Sequence, residues 1–503
     1  MRTRRSRILA FLAAFAILLI APRSRAHIGS PDVYAEGSAG PYKLSIVIRP
    51  PLVIPGVAEV DVRAESPGIQ RISITPLALT GEASKHPPTA DQMKTTTDDQ
   101  QYFTGQLWIM EAGSWQIRFV VDGASGRGVW SVPLPAAAMG TRRMQSGLGA
   151  FLAALGVLLI VGMVGIVGAA AREAQLAPGE AASPRRRRSA LVSMAVTFVV
   201  LVTTVVLGGM WWKTDAADYS SNVYKPLALN ATLQPGNVLD LKMTDPGWVS
   251  ERHLDDFIPD HNHLMHLYVI RWPQMDVVFH LHPQPVATGE FQLALPTIPA
   301  GNYRMYADVV HESGFPETMV SSANLPAITG RALIGDDAEG RGTPVGGSIA
   351  TGPASGAQFR LPDGYTMAWN RPRTLVARRP EDFTFTLIDP SGHPAKDTQL
   401  YMGMLGHAAF VKTDGTVFAH IHPSGTVSMA ALMMAQEQNS APNNSSMAST
   451  EMDQMPGMTM PSEHLPSSVS FPYGFPTPGQ YRIVVQMKHG DTIETGIFDA
   501  TVE

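Results

Sequence analysis

Short runs of alternating or β-branched apolar residues, bounded by glycine and proline, flank a strongly apolar middle part of the chain. Three such runs are 44–48, 71–74 and 116–121. Alternation over a few residues predicts half-buried strands, and no helical period of comparable strength accompanies them. We therefore predict a mainly β fold with three antiparallel β-sandwich domains of immunoglobulin-like or cupredoxin-like type, plus a helical hairpin in the middle.

The apolar middle contains two long uncharged runs, 144–171 and 189–212. Each run is long enough to cross a hydrocarbon core of about 30 Å as a helix. The intervening residues 172–188 carry Arg172 and four consecutive arginines at 185–188. Because basic loops stay on the cytoplasmic side, the pattern predicts a two-pass transmembrane hairpin with a cytoplasmic basic loop.

Residues 1–26 have the features of a secretory signal peptide: a basic start, an apolar run at 8–21 and small residues before a cleavage point. Cleavage makes His27 the first residue of the mature chain, and the alternative is an uncleaved anchor. The signal and the basic loop predict the same orientation. We expect a bacterial inner-membrane protein whose portions 27–140 and 214–503 both lie in the periplasm.

Composition narrows the function further. The 503 residues exceed what one hydrophobic core normally holds. A net charge of −5 argues against a nucleic-acid partner, which usually requires a basic excess. Cysteine is absent, which excludes disulfides, thiolate zinc sites and iron–sulfur clusters, whereas methionine is abundant at 25 residues.

An internal repeat is the strongest signal in the second outer portion. A His-x-His-Pro sequence occurs at 280–283 and again at 420–423, which is 140 residues later. A histidine precedes each one, and a Tyr-to-His strand follows each one at a longer offset of 178 residues, so the second copy contains an insertion of 38 residues. The repeat predicts sandwiches at 214–328 and 357–503, joined by a linker at 329–356 that is rich in glycine, alanine and serine.

The repeated histidines are candidate metal ligands. Side chains at i and i+2 of a strand share one face about 6.5 Å apart, and a neighbouring strand can add another imidazole. Three or four imidazoles suit copper(II) or zinc. The alternative is that these histidines only fix turns before the prolines. The candidates are His266, His280, His282 and His311 in one copy, and His407, His420, His422 and His489 in the other.

Two other sequence features extend the metal hypothesis. The insertion, 424–468, has eight methionines between 429 and 460, and thioethers favour copper(I). Its candidate ligands are Met452, Met455, Met458 and Met460; the alternative is a tether with incidental methionines. A terminal His27 offers an amine and an imidazole to one ion, and the loop 260–263 holds His261 and His263 as further ligands or as a polar turn.

The segments 260–283 and 401–423 resemble bacterial envelope proteins with YtkA-like or FixH-like sandwich domains, which are largely uncharacterised. The mature N-terminal histidine, the sandwich and the methionine-rich loop are similar to CopC-like copper carriers. The order of sandwich, two-helix hairpin and sandwich resembles the B subunit of particulate methane monooxygenase, but only in architecture, because His-x-His lies here in the C-terminal domains.

These observations predict a membrane-anchored periplasmic protein that binds copper, as copper(I) or copper(II) with zinc as the other metal, for copper handling or delivery. Its expected partners are the membrane and a copper-receiving or copper-exporting envelope protein. One alternative is a non-metal envelope scaffold of immunoglobulin-like domains, and another is a copper redox enzyme subunit. No nucleophile elbow, phosphate loop or His-Glu-x-x-His helix is present, which favours a role other than catalysis.

Overall fold

The structure is a computed structural model that describes residues 31–96, 98–142, 144–177, 179–249, 252–345, 357–372, 374–437 and 464–503. The predicted signal peptide, His27 and the four candidate methionines at 452–460 lie outside the described residues. Within them, strands dominate and neighbouring strands are antiparallel, so the mainly β fold is confirmed.

The first sandwich packs two sheets over a core of alternating apolar residues. Its first sheet contains, in spatial order, β1 (Val33–Ala39), β2 (Tyr42–Arg49), β3 (Gly56–Ala64), β7 (Tyr102–Ile109) and β6 (Lys94–Thr95). Its second sheet contains β5 (Asp91–Gln92), β4 (Ile69–Ala78), β8 (Gly113–Gly123) and β9 (Gly126–Ala136). A short 3₁₀ helix spans Glu82–Lys85.

Two apolar helices follow, α1 (Ser146–Glu173) and α2 (Pro184–Ser221). Each is long and apolar enough to cross a membrane, and their side chains are almost entirely exposed. Helix α2 is longer than the sequence pattern predicted at both ends. The arginines at 185–188, expected in a loop, form its first turn, because Ser183 caps the helix and Pro184 is compatible with the first helical position.

The second and third sandwiches have closely similar topologies. The second sandwich contains the sheet β10 (Ala228–Gln234), β11 (Val238–Thr244), β16 (Glu290–Ala294), β15 (Gln284–Ala287). Its other sheet has the spatial order β12 (Phe257–Ile258), β17 (Gly301–His311), β13 (His266–Arg271), β14 (Val277–Leu281), β19 (Ala338–Arg341), with β18 (Pro316–Leu325) also paired to β17.

The third sandwich repeats this plan. One sheet contains β20 (Ala357–Arg360), β21 (Thr366–Asn370), β22 (Glu381–Ile388), β26 (Ser468–Tyr473). The other contains β23 (Thr398–Gln399), β27 (Gly479–His489), β24 (His407–Lys412), β25 (Phe418–Ile421), with β28 (Thr492–Val502) paired to β27. A helix, α3 (Met429–Glu437), begins the insertion.

The predicted linker 329–356 is not only a linker. Its strand β19 is an edge strand of the second sandwich, where Ala338 pairs with His280. The small residues that suggested flexibility are here compatible with close sheet packing, since Gly340 lies against Thr495 of the third sandwich. This segment therefore belongs to the structure around the repeated histidines.

The first sandwich contacts the third through strand β1. Ala35 bridges to Gly425, and Tyr34 exchanges hydrogen bonds with Thr426. Helix α3 then packs on the first sandwich, where Met429 and Leu432 join its core. The early methionines of the insertion are thus apolar packing residues in the described part of the chain.

Replacing Gly425 by alanine should disrupt this contact. Gly425 has φ +125°, and a Cβ there would lie 1.9 Å from the carbonyl oxygen of Tyr34. Gly392 is a matched control because it also has a positive φ of +85° but nothing within 4 Å of an added Cβ. Thermal unfolding of the detergent-solubilised chain should show that Gly425→Ala costs about 1–3 kcal/mol more than Gly392→Ala. Equal losses would contradict this account of the contact.

Candidate metal centre

The second and third sandwiches face each other through their histidine-bearing sheets. The ring of Phe418 stacks on Tyr306 with a centroid separation of 4.3 Å, and it meets Tyr268 at 5.4 Å. Strand β14 is buried on both faces because one face meets its own core and the other meets the third sandwich. Residues with outward-facing side chains, including the histidines, thus become interior residues of the pair.

The interface is approximately two-fold symmetric. Arg304 donates to the carbonyl oxygen of Gly415 at 2.9 Å, in the β24–β25 hairpin. Arg482, which is 178 residues later and equivalent in the repeat, donates to the carbonyl oxygen of Gln274 at 3.0 Å, in the β13–β14 hairpin. Reciprocal contacts between equivalent positions are typical of an isologous interface, here formed within one chain.

Eight histidines lie together in this interface and form what we call the histidine cluster. As expected for i and i+2 positions, the rings of His280 and His282 are 4.8 Å apart, and those of His420 and His422 are 4.7 Å apart. Rings from the two sandwiches also meet, with 5.4 Å between His266 and His420. The cluster comprises His261, His263, His266, His280, His282, His407, His420 and His422.

Within the cluster, two groups of three have ring nitrogens close enough to share a metal ion. Group A is His266, His280 and His282, and group B is His261, His407 and His422. In each group, one nitrogen per ring lies within 4.8 Å of the others. Three imidazoles with no carboxylate or thiolate constitute a ligand set for copper or zinc.

Several rings have one nitrogen hydrogen-bonded and the other without a partner. The Nδ1 atom of His282 lies 3.2 Å from Asp337 Oδ1, and that of His422 lies 3.2 Å from the carbonyl oxygen of Val427. The Nδ1 atom of His420 lies 3.3 Å from Asp308 Oδ2. Their buried Nε2 atoms have no hydrogen-bond partner among the described residues. Ligating histidines show this pattern, in which an outer partner fixes the ring orientation.

The outer partners of the equivalent histidines are themselves equivalent. His280 Nδ1 lies 2.9 Å from Gln486 Oε1, and Gln486 occupies the third-sandwich position that corresponds to Asp308 in the second. The first histidine of each His-x-His is therefore oriented by the opposite sandwich. In group A, His266 Nε2 lies 3.0 Å from the carbonyl oxygen of Asp260, and its Nδ1 lies 3.1 Å from His280 Nε2.

His407 differs from the other rings. It is fully buried, and neither of its ring nitrogens has a hydrogen-bond partner in the described part of the chain. A buried polar group without a partner costs about 1–3 kcal/mol in proteins. The repeat equivalent, His266, is similarly buried but has both nitrogens partnered.

Burial keeps the cluster uncharged near neutral pH. Desolvation, followed by the repulsion of neighbouring histidines, holds the pKa of His266, His280 and His407 well below the ordinary value, and the same holds for His422. Desolvation likewise lowers the pKa of His282, although Asp337 opposes the shift. Neutral imidazoles have the lone pairs that a metal ion requires.

The structure does not bring His311 and His489 into the cluster. Both end strands whose core-facing rows include Met305 and Met487, so they point to the core face of their own sheets. The cluster lies on the opposite face, where Asp308 and Gln486 contact it. The predicted sets of four repeated histidines are therefore not the sets that the structure assembles.

Sequence reasoning left His261 and His263 open as ligands, and the structure places both in the cluster. Their turn has an equivalent at 401–404, exactly where an offset of 141 residues predicts it, since both turns are closed by the same pair of backbone hydrogen bonds. His261 corresponds to Met402 in that comparison, and both have φ 50°. Direct alignment of the copies around this turn would have revealed the equivalence.

Other residues around the cluster gave no sequence signal. Asp337 and Asp336 hold His282 and His263, but both lie in the predicted linker. Arg331 donates to Asp337 at 2.6 Å and stabilises its charge. The hydroxyl of Tyr401 lies 3.3 Å from His280 Nδ1, which adds a second neighbour to that ring.

A cavity of about 200 Å³ gives access to one side of the cluster. Its walls come from all three sandwiches and include His266, His420 and His422 as well as Val33 of the first sandwich. Because β1 bridges to the loop after His422, the first sandwich both lines this cavity and supports a ring of group B.

Comparisons with known proteins describe the fold more than the site. Residues 359–503 match the model of a domain of unknown function (DUF8832), which covers less than a third of the chain. No curated protein matches the sequence. A tetra-tandem repeat from the extending region of a large adhesion protein is 7% identical, with 90% of this chain and 71% of that chain covered and a TM-score of 0.17. The ICAM-5 D1–D4 ectodomain fragment is 9% identical, with 90% and 74% covered and a TM-score of 0.14.

Proposed function

We propose that this protein is a membrane-anchored carrier whose histidine cluster binds copper outside the cytoplasm. The observation that carries the proposal is the arrangement of the ring nitrogens. Six buried imidazoles form two groups of three, and most of them direct an unpartnered nitrogen inward while the other nitrogen is held. A hydrogen-bonded structural cluster has no need to leave so many buried nitrogens unsatisfied.

Copper is favoured over zinc by the surroundings rather than by the rings themselves. Imidazole ligands suit both metals, but the same domain carries the methionine-rich segment, and thioethers select copper(I). The two apolar helices would keep the cluster near an envelope partner that receives or exports copper. In this proposal the bacterial inner membrane and the periplasm are the location, as the signal peptide and the arginine run suggest.

The proposal is tested by titrating the full-length chain in detergent with copper(I), copper(II) and zinc against a competing chelator. The double variants His280→Ala/His282→Ala and His407→Ala/His422→Ala should each remove part of the bound copper, because they affect different groups. The control His86→Ala changes an exposed ring in the first sandwich and should bind as the unaltered chain does. Unchanged copper binding in both double variants would refute the cluster as the site.

Removing the outer carboxylate of His282 should weaken metal binding without removing a ligand. Asp337→Ala frees the Nδ1 atom of His282 and leaves Arg331 without its partner. Loss of such a support typically lowers metal affinity about 10–100-fold. Asp256→Ala is the matched control, because Asp256 holds His311, which lies outside the cluster. Competition titration should separate the two variants, and equal affinities would argue against this orienting role.

A scaffold of immunoglobulin-like domains is the second candidate. The observation that favours it is that His266 and His280 hydrogen-bond to each other, which joins part of group A without a metal. Under this hypothesis, the chain binds no copper in either oxidation state, and the double variants change stability but not metal content. The same titration therefore decides between the two functions.

A further inference from the structure

The far ends of β17 and β27 form a second pair of equivalent histidine sites, away from the cluster. In the second sandwich, His311 Nδ1 lies 2.6 Å from Asp256 Oδ1, and its Nε2 lies 3.2 Å from Glu317 Oε2. In the third sandwich, His489 Nδ1 lies 3.2 Å from Asp397 Oδ2. The two sites have the same backbone framework but different charges.

Strand register establishes that the two sites are equivalent. Asp256 and Asp397 each precede the residue that pairs with the histidine, which is Phe257 in one sandwich and Thr398 in the other. The glutamates correspond in the same way. Glu317 and Glu494 each pair with the residue two positions before the histidine, on the adjacent final strand of the sandwich.

The second sandwich neutralises its buried glutamate with an arginine. Arg252 Nη1 donates to Glu317 Oε1 at 3.0 Å, and the side chains of both residues are almost completely buried. Tyr224 and the backbone N–H of Leu227 also donate to Glu317. The charges and hydrogen bonds of this site are therefore complete, and it has no requirement for a bound ion.

The third sandwich lacks such a cation. Among the described residues, Asp363, Asp397 and Glu494 form no salt bridge with lysine or arginine. Instead, Asp363 Oδ2 lies 2.8 Å from His489 Nε2, and the carboxyl groups of Asp363 and Glu494 are in hydrogen-bond contact. Three carboxylates around one imidazole leave an excess of negative charge in a largely buried place.

The orientation of His489 points to a ligand. The residue is 7% exposed, and its Nε2 atom has no hydrogen-bond partner in the described part of the chain, despite the short distance to Asp363. Ligand atoms of Asp363, His489 and Glu494 all lie within 4.8 Å of one another. Tyr365 stacks on the ring at 3.9 Å and donates its hydroxyl to Asp397, so the imidazole is held in place.

We propose that Asp363, His489 and Glu494 bind a divalent cation that accepts both nitrogen and oxygen ligands, zinc or manganese, as a second metal site. The ion supplies the positive charge that Arg252 supplies in the second sandwich. Asp397 orients the imidazole through Nδ1, as outer-shell carboxylates do. The side chain of Asp363 is 31% exposed, which opens the site to solvent on one side. This site is independent of the histidine cluster, whose imidazole-only groups do not favour manganese.

Manganese is the selective probe, because carboxylate oxygens suit Mn²⁺ and imidazole-only groups do not. The full-length chain in detergent is titrated with Mn²⁺, and free ion is followed by its electron paramagnetic resonance signal. We expect one equivalent to bind. Asp363→Asn and the near-isosteric Glu494→Gln should each weaken binding at least tenfold, whereas Asp256→Asn at the arginine-neutralised site should leave it unchanged. Zinc should compete with the bound manganese.

The outcomes are separable from those of the copper titration. Absence of Mn²⁺ binding up to millimolar concentration, or binding that all three variants leave intact, would overturn this site and leave the histidine cluster untouched. Loss of Mn²⁺ binding in His280→Ala/His282→Ala but not in Asp363→Asn would overturn it as well, because the ion would then lie in the cluster. Circular dichroism of each variant shows that the comparison is between folded proteins.

Discussion

His407→Leu is expected to make the metal-free protein more stable while it abolishes copper binding at group B. Both ring nitrogens of His407 are buried without partners, so leucine removes an unsatisfied polar group from a site that is otherwise packed. The gain should be about 1–3 kcal/mol in the free energy of unfolding. Chemical unfolding of the metal-free chain, with copper binding measured on the same sample, checks both effects.

His266→Leu is the matched comparison, because His266 is the repeat equivalent and is similarly buried. Here leucine leaves the carbonyl oxygen of Asp260 and the Nε2 atom of His280 without partners, so stability should fall by about 1–3 kcal/mol. Opposite signs for the two substitutions indicate that His407 is retained for ligation and not for folding. A loss of stability in His407→Leu as large as that in His266→Leu would contradict this interpretation.

The metal-free protein should also lose stability steeply in acid. Burial lowers the pKa of His266, His280, His407 and His422 in the folded state, whereas in the unfolded chain these rings have the ordinary value of about 6.5. The stability that they contribute is complete above that pH. It is lost as pH falls from there toward the folded-state values, because only the unfolded chain then takes up the protons.

Each such ring costs about 1.4 kcal/mol per pH unit once the unfolded chain is protonated, so four rings give a slope of about 5 kcal/mol per unit. Thermal unfolding at pH 7, 6 and 5 should show the fall. Bound copper should oppose the fall at pH 6, because it binds only the folded protein. His86→Ala should not alter the slope, as this ring is exposed. A melting temperature that stays constant from pH 7 to pH 5 would contradict a buried neutral cluster.

Much of the fold follows from local patterns. The Tyr-to-His strands were placed from alternation alone, and the structure has them as β17 and β27. The two apolar runs correspond to α1 and α2, although the second helix starts earlier because a serine cap and a proline extend it through the arginines. Edge strand β19 was missed because a segment rich in glycine and alanine has little strand propensity of its own.

The site was less accessible to sequence reasoning. Strand parity correctly grouped His280 with His282, but parity does not say which sheet face meets another domain. Strands β13 and β14 are apolar on both faces, so nothing in the sequence separated the core side, with His311, from the interface side, with the cluster. The pairing of two sandwiches through equivalent sheets is a tertiary fact, and it brought Gln486 and Asp308 to the rings.

The central claim, that the buried imidazoles ligate copper, is tested most directly by X-ray absorption spectroscopy of the full-length chain loaded with copper(I) at one equivalent. The proposal predicts a first coordination shell of nitrogen, with the multiple scattering characteristic of imidazole rings. A shell dominated by sulfur would place the metal on the methionine-rich segment, and copper that is lost during desalting would mean that the chain holds none. Either result would contradict the histidine cluster as the metal centre.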